Sequence, residues 1–354
     1  MANSKMKTCK HCGAEIAKSA KVCPNCGGRN KKPIFLRWWF IALIILVVLI
    51  AIGGGSKSSG TQQVGTVGQP SAGTAQTGAK STEPTPEPKT VFNVGDILQD
   101  GATQIVYVAS GEYNENNEFM QPGDGHKYIF LTFAFINTGK SDTAVSFYSF
   151  EAYADGYNVD MYYGGEDDLS ATLSAGRSTM GQIYFEVPED AKEIEVEYTP
   201  NVFSDRKIKF VYEGDQDSGF VLQPNTTRTE GAVNPGETVE TKTLRIAYLS
   251  CEDYDSDNMF VQPKPGCRYI TLFFEFENLS SSDELVSSYS FDCYADGIAC
   301  DATFIREDDL QATISAGRKA KGTVTFEVPD AAEVVEAEFN SNVWTSNRIA
   351  FTVR

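Results

Sequence analysis

The chain repeats itself. Residues 91–213 align with residues 232–354 at a constant shift of 141, without a gap. Between 103 and 213 about 48 of 111 positions are identical. A match of that length means one fold used twice, and each copy is long enough to bury its own core, so the reading is a tandem pair rather than a solenoid. Tyr153-Ala154-Asp155-Gly156 returns as Tyr294-Ala295-Asp296-Gly297, and Phe185-Glu186-Val187-Pro188 as Phe326-Glu327-Val328-Pro329. The run Glu166-Asp167-Asp168-Leu169 returns as Glu307-Asp308-Asp309-Leu310. Residues 214–231, polar and carrying Pro224, form the linker between repeat one (91–213) and repeat two (232–354).

The copies together reveal the kind of element. In repeat two Ile270, Leu272, Phe274 and Phe276 alternate with Thr271, Phe273, Glu275 and Glu277, the period of a strand with one wet face. Repeat one keeps the inner set as Ile129, Leu131, Phe133 and Phe135, but its outer set (Phe130, Thr132, Ala134, Ile136) carries no charge. That face is expected to be covered, by its own domain, by the other repeat or by a partner. Further strands are expected at 103–110, 147–154, 157–162, 180–187, 193–199 and 206–212. Asp155-Gly156 and Asp296-Gly297 predict two-residue hairpin turns, which need positive φ at both central positions. Short strands with turn signals about every ten residues predict two antiparallel β-sandwiches, a mainly β chain.

The stretches YIFLTFAFIN and YITLFFEFEN, FYSFEAYADG and YSFDCYADG, and LSAGRSTMGQIYFEVP and ISAGRKAKGTVTFEVP resemble the immunoglobulin-like β-sandwich family typified by the immunoprotective extracellular antigen. The resemblance spans most of each repeat and implies an immunoglobulin-like fold on secreted or membrane-anchored proteins. It carries no catalytic residues.

The N-terminal quarter is different. Cys9-x-x-Cys12 and Cys23-x-x-Cys26 are each followed by glycine, Gly13 and Gly27. Two such knuckles present four thiolates to one ion in a closed tetrahedral shell, so the expected cofactor is a structural Zn²⁺ without catalytic water. The halves CKHCG and CPNCG resemble the short bacterial zinc-ribbon family, which implies a small docking or nucleic-acid-contacting module over residues 1–33. Trp38–Ile52 then runs WWFIALIILVVLIAI without a charge. Residues 34–55 are expected to form one transmembrane helix, about 28 Å of it apolar. Nine Lys or Arg against one acid before residue 38 place that side in the cytoplasm. Residues 56–90, rich in Gly, Ser, Thr, Gln and Pro, are expected to form a disordered stalk.

Of the net charge of −18, about +8 belongs to the first 37 residues, leaving about −26 beyond them. A mass so acidic excludes nucleic acid and anionic lipid as ligands of the repeats. The other four cysteines, Cys251, Cys267, Cys293 and Cys300, are all absent from repeat one. An external compartment makes disulfides the expectation. The Asp296-Gly297 turn sets Cys293 opposite Cys300 and leaves Cys251 with Cys267, although four cysteines allow three pairings. Asp253, Asp255 and Asp257 have the spacing of a calcium loop, but position twelve is Lys264 rather than glutamate, so a solvated turn is expected. The Glu-Asp-Asp-Leu runs offer adjacent carboxylates to a metal or a glycan, with a wet charged loop as the plainer reading.

The chain has only two histidines, His11 and His126, and no nucleophile motif near either, so no enzyme is expected. The leading expectation is a non-enzymatic single-pass membrane protein. Its repeats would bind an extracellular protein or cell-envelope ligand, and its ribbon would dock a cytosolic protein. The alternatives are a structural spacer or adhesin with the ribbon as passive anchor, and a ribbon that binds nucleic acid.

Overall fold

A computed structural model of the chain describes residues 6–8, 15–17, 62–68, 90–115, 117–165, 169–200, 206–259, 261–340 and 348–353. They fall into two compact units, 1–58 and 59–354. In the first, Met6–Thr8 pairs antiparallel with Glu15–Ala17. The zinc ligands Cys9, Cys12, Cys23 and Cys26 and the span 34–55 lie outside the described residues. Among the described residues no helix is long and apolar enough to cross a membrane.

The second unit is mainly β and holds both repeats. In repeat one Thr103–Tyr113, His126–Asn137 and Ser178–Pro188 form one antiparallel layer. Phe150–Ala154, Ile194–Tyr198 and Ile208–Tyr212 form the other. Repeat two reproduces both layers, with Leu244–Tyr254, Cys267–Asn278 and Lys319–Pro329 facing Phe291–Ala295, Val335–Asn340 and Arg348–Thr352. The alternation in sequence sets which side chains meet between the layers: Ile129, Leu131, Phe133 and Phe135 are fully buried. Their mates Leu272, Phe274 and Phe276 are too, with Ile270 nearly so. Tyr107 stacks on Phe133 at 4.9 Å and Tyr248 on Phe274 at 5.1 Å. Each buried tyrosine satisfies its hydroxyl by donating to a carbonyl, Val211 or Thr352, at 3.1 Å. Even the bulge recurs, since the register shifts between Tyr107 and Ala109 and between Tyr248 and Ser250.

The hairpin turns are as expected: Asp155 and Asp296 have φ of 50° and 49°, and Gly156 and Gly297 follow at 82° and 80°. Two expectations need correction. Residues 147–149 are a turn of 3-10 helix, not strand, because the Ser146 side chain accepts the Tyr148 N–H at 3.2 Å and caps it. The stalk is not structureless throughout, since Gln62–Thr66 adds antiparallel to Asp96–Asp100, with Gln63 Nε2 donating to Asp96 Oδ1. A polar segment can still satisfy its backbone on an open sheet edge. The linker is strapped down. Gln216–Asp217 pairs with Thr103–Tyr113, and Phe220 and Leu222 cover the uncharged outer face at Ala134 and Ile136, together with Ile298 of repeat two. That face is thus covered by the linker and the neighbouring repeat at Ala134 and Ile136, and by repeat one itself at Phe130, which packs against Tyr128, Tyr162 and Tyr184.

The two sandwiches share a sheet. Ser178, at the start of its strand, pairs in parallel with Ile298 of the Ile298–Cys300 strand, so one layer of each repeat runs on into the other. Arg177 lies beneath this seam, donating through Nη2 to Glu336 and Glu338 at 2.8 Å each and through Nε to Glu338 at 3.1 Å. Arg348 answers from repeat two, donating to Asp142 at 2.9 and 3.0 Å and to Asp292 at 2.5 Å.

Candidate functional site

The two sheets place Tyr148 and Tyr163 together on the surface of repeat one, ring centroids 6.2 Å apart, with Phe147 behind them. At the same place in repeat two Tyr289 and Phe304 lie 4.6 Å apart. Tyr148 is 72% exposed and Tyr289 77%. Each is held out on a capped 3-10 turn, the second by Ser287 accepting the Tyr289 N–H at 3.3 Å. Scattered apolar residues on a surface need no explanation, but a paired aromatic platform presented twice is a different matter. The rings offer flat, rigid contact at little cost in side-chain entropy. Tyr289 and Phe304 also border a cavity of about 520 Å³ between the repeats, whose facing wall comes from Ala144, Thr172 and Met180. Asp292 and Asp301 give it acidic groups. Burial holds the Asp292 carboxyl above the usual range although Arg348 pulls it down. Sequence reasoning passed over these rings because Tyr148 read as part of a strand over 147–154 and Tyr163 falls just past the strand expected at 157–162. The signal that could have found them is Tyr148 identical to Tyr289, with an aromatic residue at both 163 and 304.

The cysteines of repeat two are only partly where they were expected. Cys293 and Cys300 are register partners across the hairpin, but all four are free thiols. A Cys251–Cys267 bridge is incompatible with the register. Cys251 faces Leu272 and Tyr254 faces Tyr269 on the adjacent strand, which puts Cys267 five residues further along. Five residues are about 17 Å of strand, against at most about 7 Å between bridged Cα atoms. Burial, and the neighbouring Cys300, push the Cys293 thiol well up, and burial raises those of Cys251 and Cys267.

One carboxylate in each described acidic loop is held by an arginine. Asp253 is paired with Arg268 at 3.1 Å, and the loop holds its shape by Gln262 Nε2 donating to the carbonyls of Ser256 and Asn258. Among the described residues no group of three or more His, Cys, Asp or Glu is placed to hold a metal ion. In the second Glu-Asp-Asp-Leu run Asp308 is taken by Arg306 at 2.8 Å; residues 166–168 of the first lie outside the described residues. His126 is exposed, its Nδ1 3.2 Å from the Asp124 carbonyl. At the N-terminus Met6–Thr8 pairs with Glu15–Ala17, and Cys9 and Cys12 fall between these two strands in sequence.

A tandem β-sandwich protein preceded by a zinc-ribbon segment is the class these features define. The chain belongs to the DUF4352 family, a domain of unknown function, whose model matches residues 92–208 and 233–349, about two thirds of the chain. A zinc-ribbon domain model matches residues 8–29. No curated protein matches. Among solved structures the chain is similar to the ycdA protein of Bacillus subtilis, at 20% identity and TM-score 0.27, over 32% of this chain and 37% of that one. The yjhA protein of Bacillus subtilis matches at 12% identity and TM-score 0.28, over 34% of this chain and 99% of that one. A β-sandwich protein of Clostridium difficile matches at 13% identity and TM-score 0.26, over 36% and 98%.

Proposed function

We propose that the chain is a non-catalytic, single-pass envelope protein whose tandem sandwiches bind an extracellular protein or cell-envelope polymer at the aromatic platforms. One observation carries the reading: the exposed pair Tyr148–Tyr163 recurs as Tyr289–Phe304 at the same place in both repeats. An exposed aromatic pair suits a flat sugar ring or a peptide side chain, the more so beside a cleft as in repeat two, and two pairs give one chain two contacts. The placement outside the membrane rests on the apolar run Trp38–Ile52 and the basic flank before it. The matched zinc-ribbon segment supplies Cys9, Cys12, Cys23 and Cys26 for a structural Zn²⁺, which would hold the ribbon folded for a cytosolic protein to dock.

Binding of the purified protein to isolated cell envelopes tests the platform. Tyr289→Ala with Phe304→Ala should lower retention at least about tenfold, whereas Val221→Ala, an exposed change elsewhere, should not. Equal retention of all three would sink the proposal. Protease added to intact cells tests the topology: the repeats should be shaved off while residues 1–33 stay protected.

A second reading, the spacer or adhesin with a passive ribbon, is favoured by the ion-paired seam, which ties the two sandwiches together at Arg177 and Arg348. Deleting residues 1–30 separates the two readings, because only a docking ribbon would lose a cytosolic partner.

A further inference from the structure

The seam between the repeats joins unlike surfaces. Repeat one contributes the turn at Arg177 and the start of its strand Ser178–Pro188. Repeat two contributes the Tyr294 hairpin and the face bearing Glu336 and Glu338. A contact between unlike surfaces does not close on itself, so each is left over once at the far ends of the pair. Repeat two ends in its own copy of the turn, centred on Arg318, and repeat one ends in its own copy of the face, at Tyr153, Glu195 and Glu197.

These leftover surfaces have kept the side chains of the seam. Arg177 and Arg318, Glu336 and Glu195, Glu338 and Glu197, and Tyr294 and Tyr153 are identical pairs, although fewer than half of the aligned positions are. So are the groups that bracket them. Tyr294 donates its hydroxyl to the Thr172 carbonyl at 2.5 Å and accepts the Ser174 N–H at 3.2 Å, and Thr313 and Ser315 stand at the same places in repeat two. Asp142, which receives Arg348, returns as Asp283.

What differs is burial. Ser174, Arg177 and Ser178 are buried in the seam, whereas Ser315, Arg318 and Lys319 are exposed. Arg318 makes no ion pair with any described residue. Tyr157–Val159 is the last strand of its sheet, with Tyr157 79% exposed, where its counterpart Ile298–Cys300 is covered.

We propose that the Arg318 end of repeat two docks on the Glu195–Glu197 face of repeat one in a second copy of this chain, reusing the internal seam to build open-ended, end-to-end assemblies. The charges match. Arg318 meets Glu195 and Glu197, and Lys207, which stands where Arg348 does, meets the exposed Asp283. In the isolated chain Lys207 rests on Glu151 and Glu197, at 2.7 Å each, and so holds the face in place for its partner. The edge pairing is made by backbone, as the Ser178 N–H donation to the Gly297 carbonyl at 3.0 Å shows. Lys319 for Ser178 and Tyr157 for Ile298 therefore leave it available.

Two differences weaken the contact between chains relative to the seam. Lys209 occupies the place of Ala350 and competes for Glu195 and Glu197, at 3.4 Å each. The linker's Thr229, which donates to Glu336 at 2.8 and 2.9 Å, acts within one chain, where covalent tethering raises the local concentration.

Sedimentation velocity of the full chain in a mild non-ionic detergent, from about 1 µM to about 500 µM, tests this. The expected result is a series of oligomers that lengthens with concentration. Arg318→Glu should reduce association at least about tenfold, and so should Glu195→Arg with Glu197→Arg. Mixing these two variants should restore it. Lys209→Ala, which copies repeat two, should strengthen it. All these positions are exposed or half-buried and away from the internal seam, so each variant should still fold and unfold cooperatively. A chain that stays monomeric throughout, a closed dimer in place of a series, or oligomers that persist undiminished in Arg318→Glu would overturn the proposal.

Discussion

Arg177 is 6% exposed and Glu336 is fully buried, and at such a site removing one partner strands the other charge. Arg177→Ala or Glu336→Ala should therefore cost about 3–5 kcal/mol at the seam. The readout is calorimetric: one unfolding transition should become two as the repeats uncouple. Burial opposes the charge on Glu336, but the bonds from Arg177 and Thr229 outweigh it and hold its carboxyl below the ordinary range. A depressed acid lends stability that is present above its unfolded pKa, about 4.3, and is lost as pH falls through the lower folded value. Asp292, whose carboxyl is raised, works the opposite way and loses its penalty on protonation. The seam should thus loosen below about pH 4, visible as a pH-dependent splitting of the same transition that Glu336→Gln weakens, leaving the part due to Asp292. Among the thiols, mild oxidation should cross-link Cys293 to Cys300, with no Cys251–Cys267 peptide found by mass mapping.

At the scale of elements, one asparagine ties the long central strand of each repeat to the neighbouring loops. Asn137 Nδ2 donates to the carbonyls of Ser141, Leu173 and Ser174, and Asn278 Nδ2 to those of Ser282 and Ile314. Both side chains are buried, so Asn137→Ala leaves carbonyls without donors and should lower stability by about 2–3 kcal/mol, measured by urea unfolding. Much at this scale was legible in sequence. The period-two pattern at 129–135 and 270–276 marked the inner faces, and Asp-Gly marked both hairpins. What was missed has a local cause. At 147–149 the apolar letters read as strand, but Ser146 spends its hydroxyl on a cap and turns the chain, bringing Tyr148 to the surface. At 62–66 polar letters read as stalk, because strand addition on an edge uses backbone groups that every residue shares.

For the whole molecule, the acidic tandem unit and the cysteine-rich segment are separate compact bodies. Among the described residues the sandwiches gather no metal ligands. Treating the protein with a strong zinc chelator should leave the melting of the β-sheet signal unchanged. A large downward shift would mean that metal sits within 91–354.

The duplication, the strand faces and the hairpin registers were determined by the sequence alone, because they follow from local periodicity and from comparing one copy with the other. The seam was not. Arg177 and Arg318 sit in the same letters, SAGR, yet one is buried between two glutamates and the other faces solvent. That difference depends on which surface lies opposite, more than 150 residues away in sequence, and only the packing of the two repeats decides it.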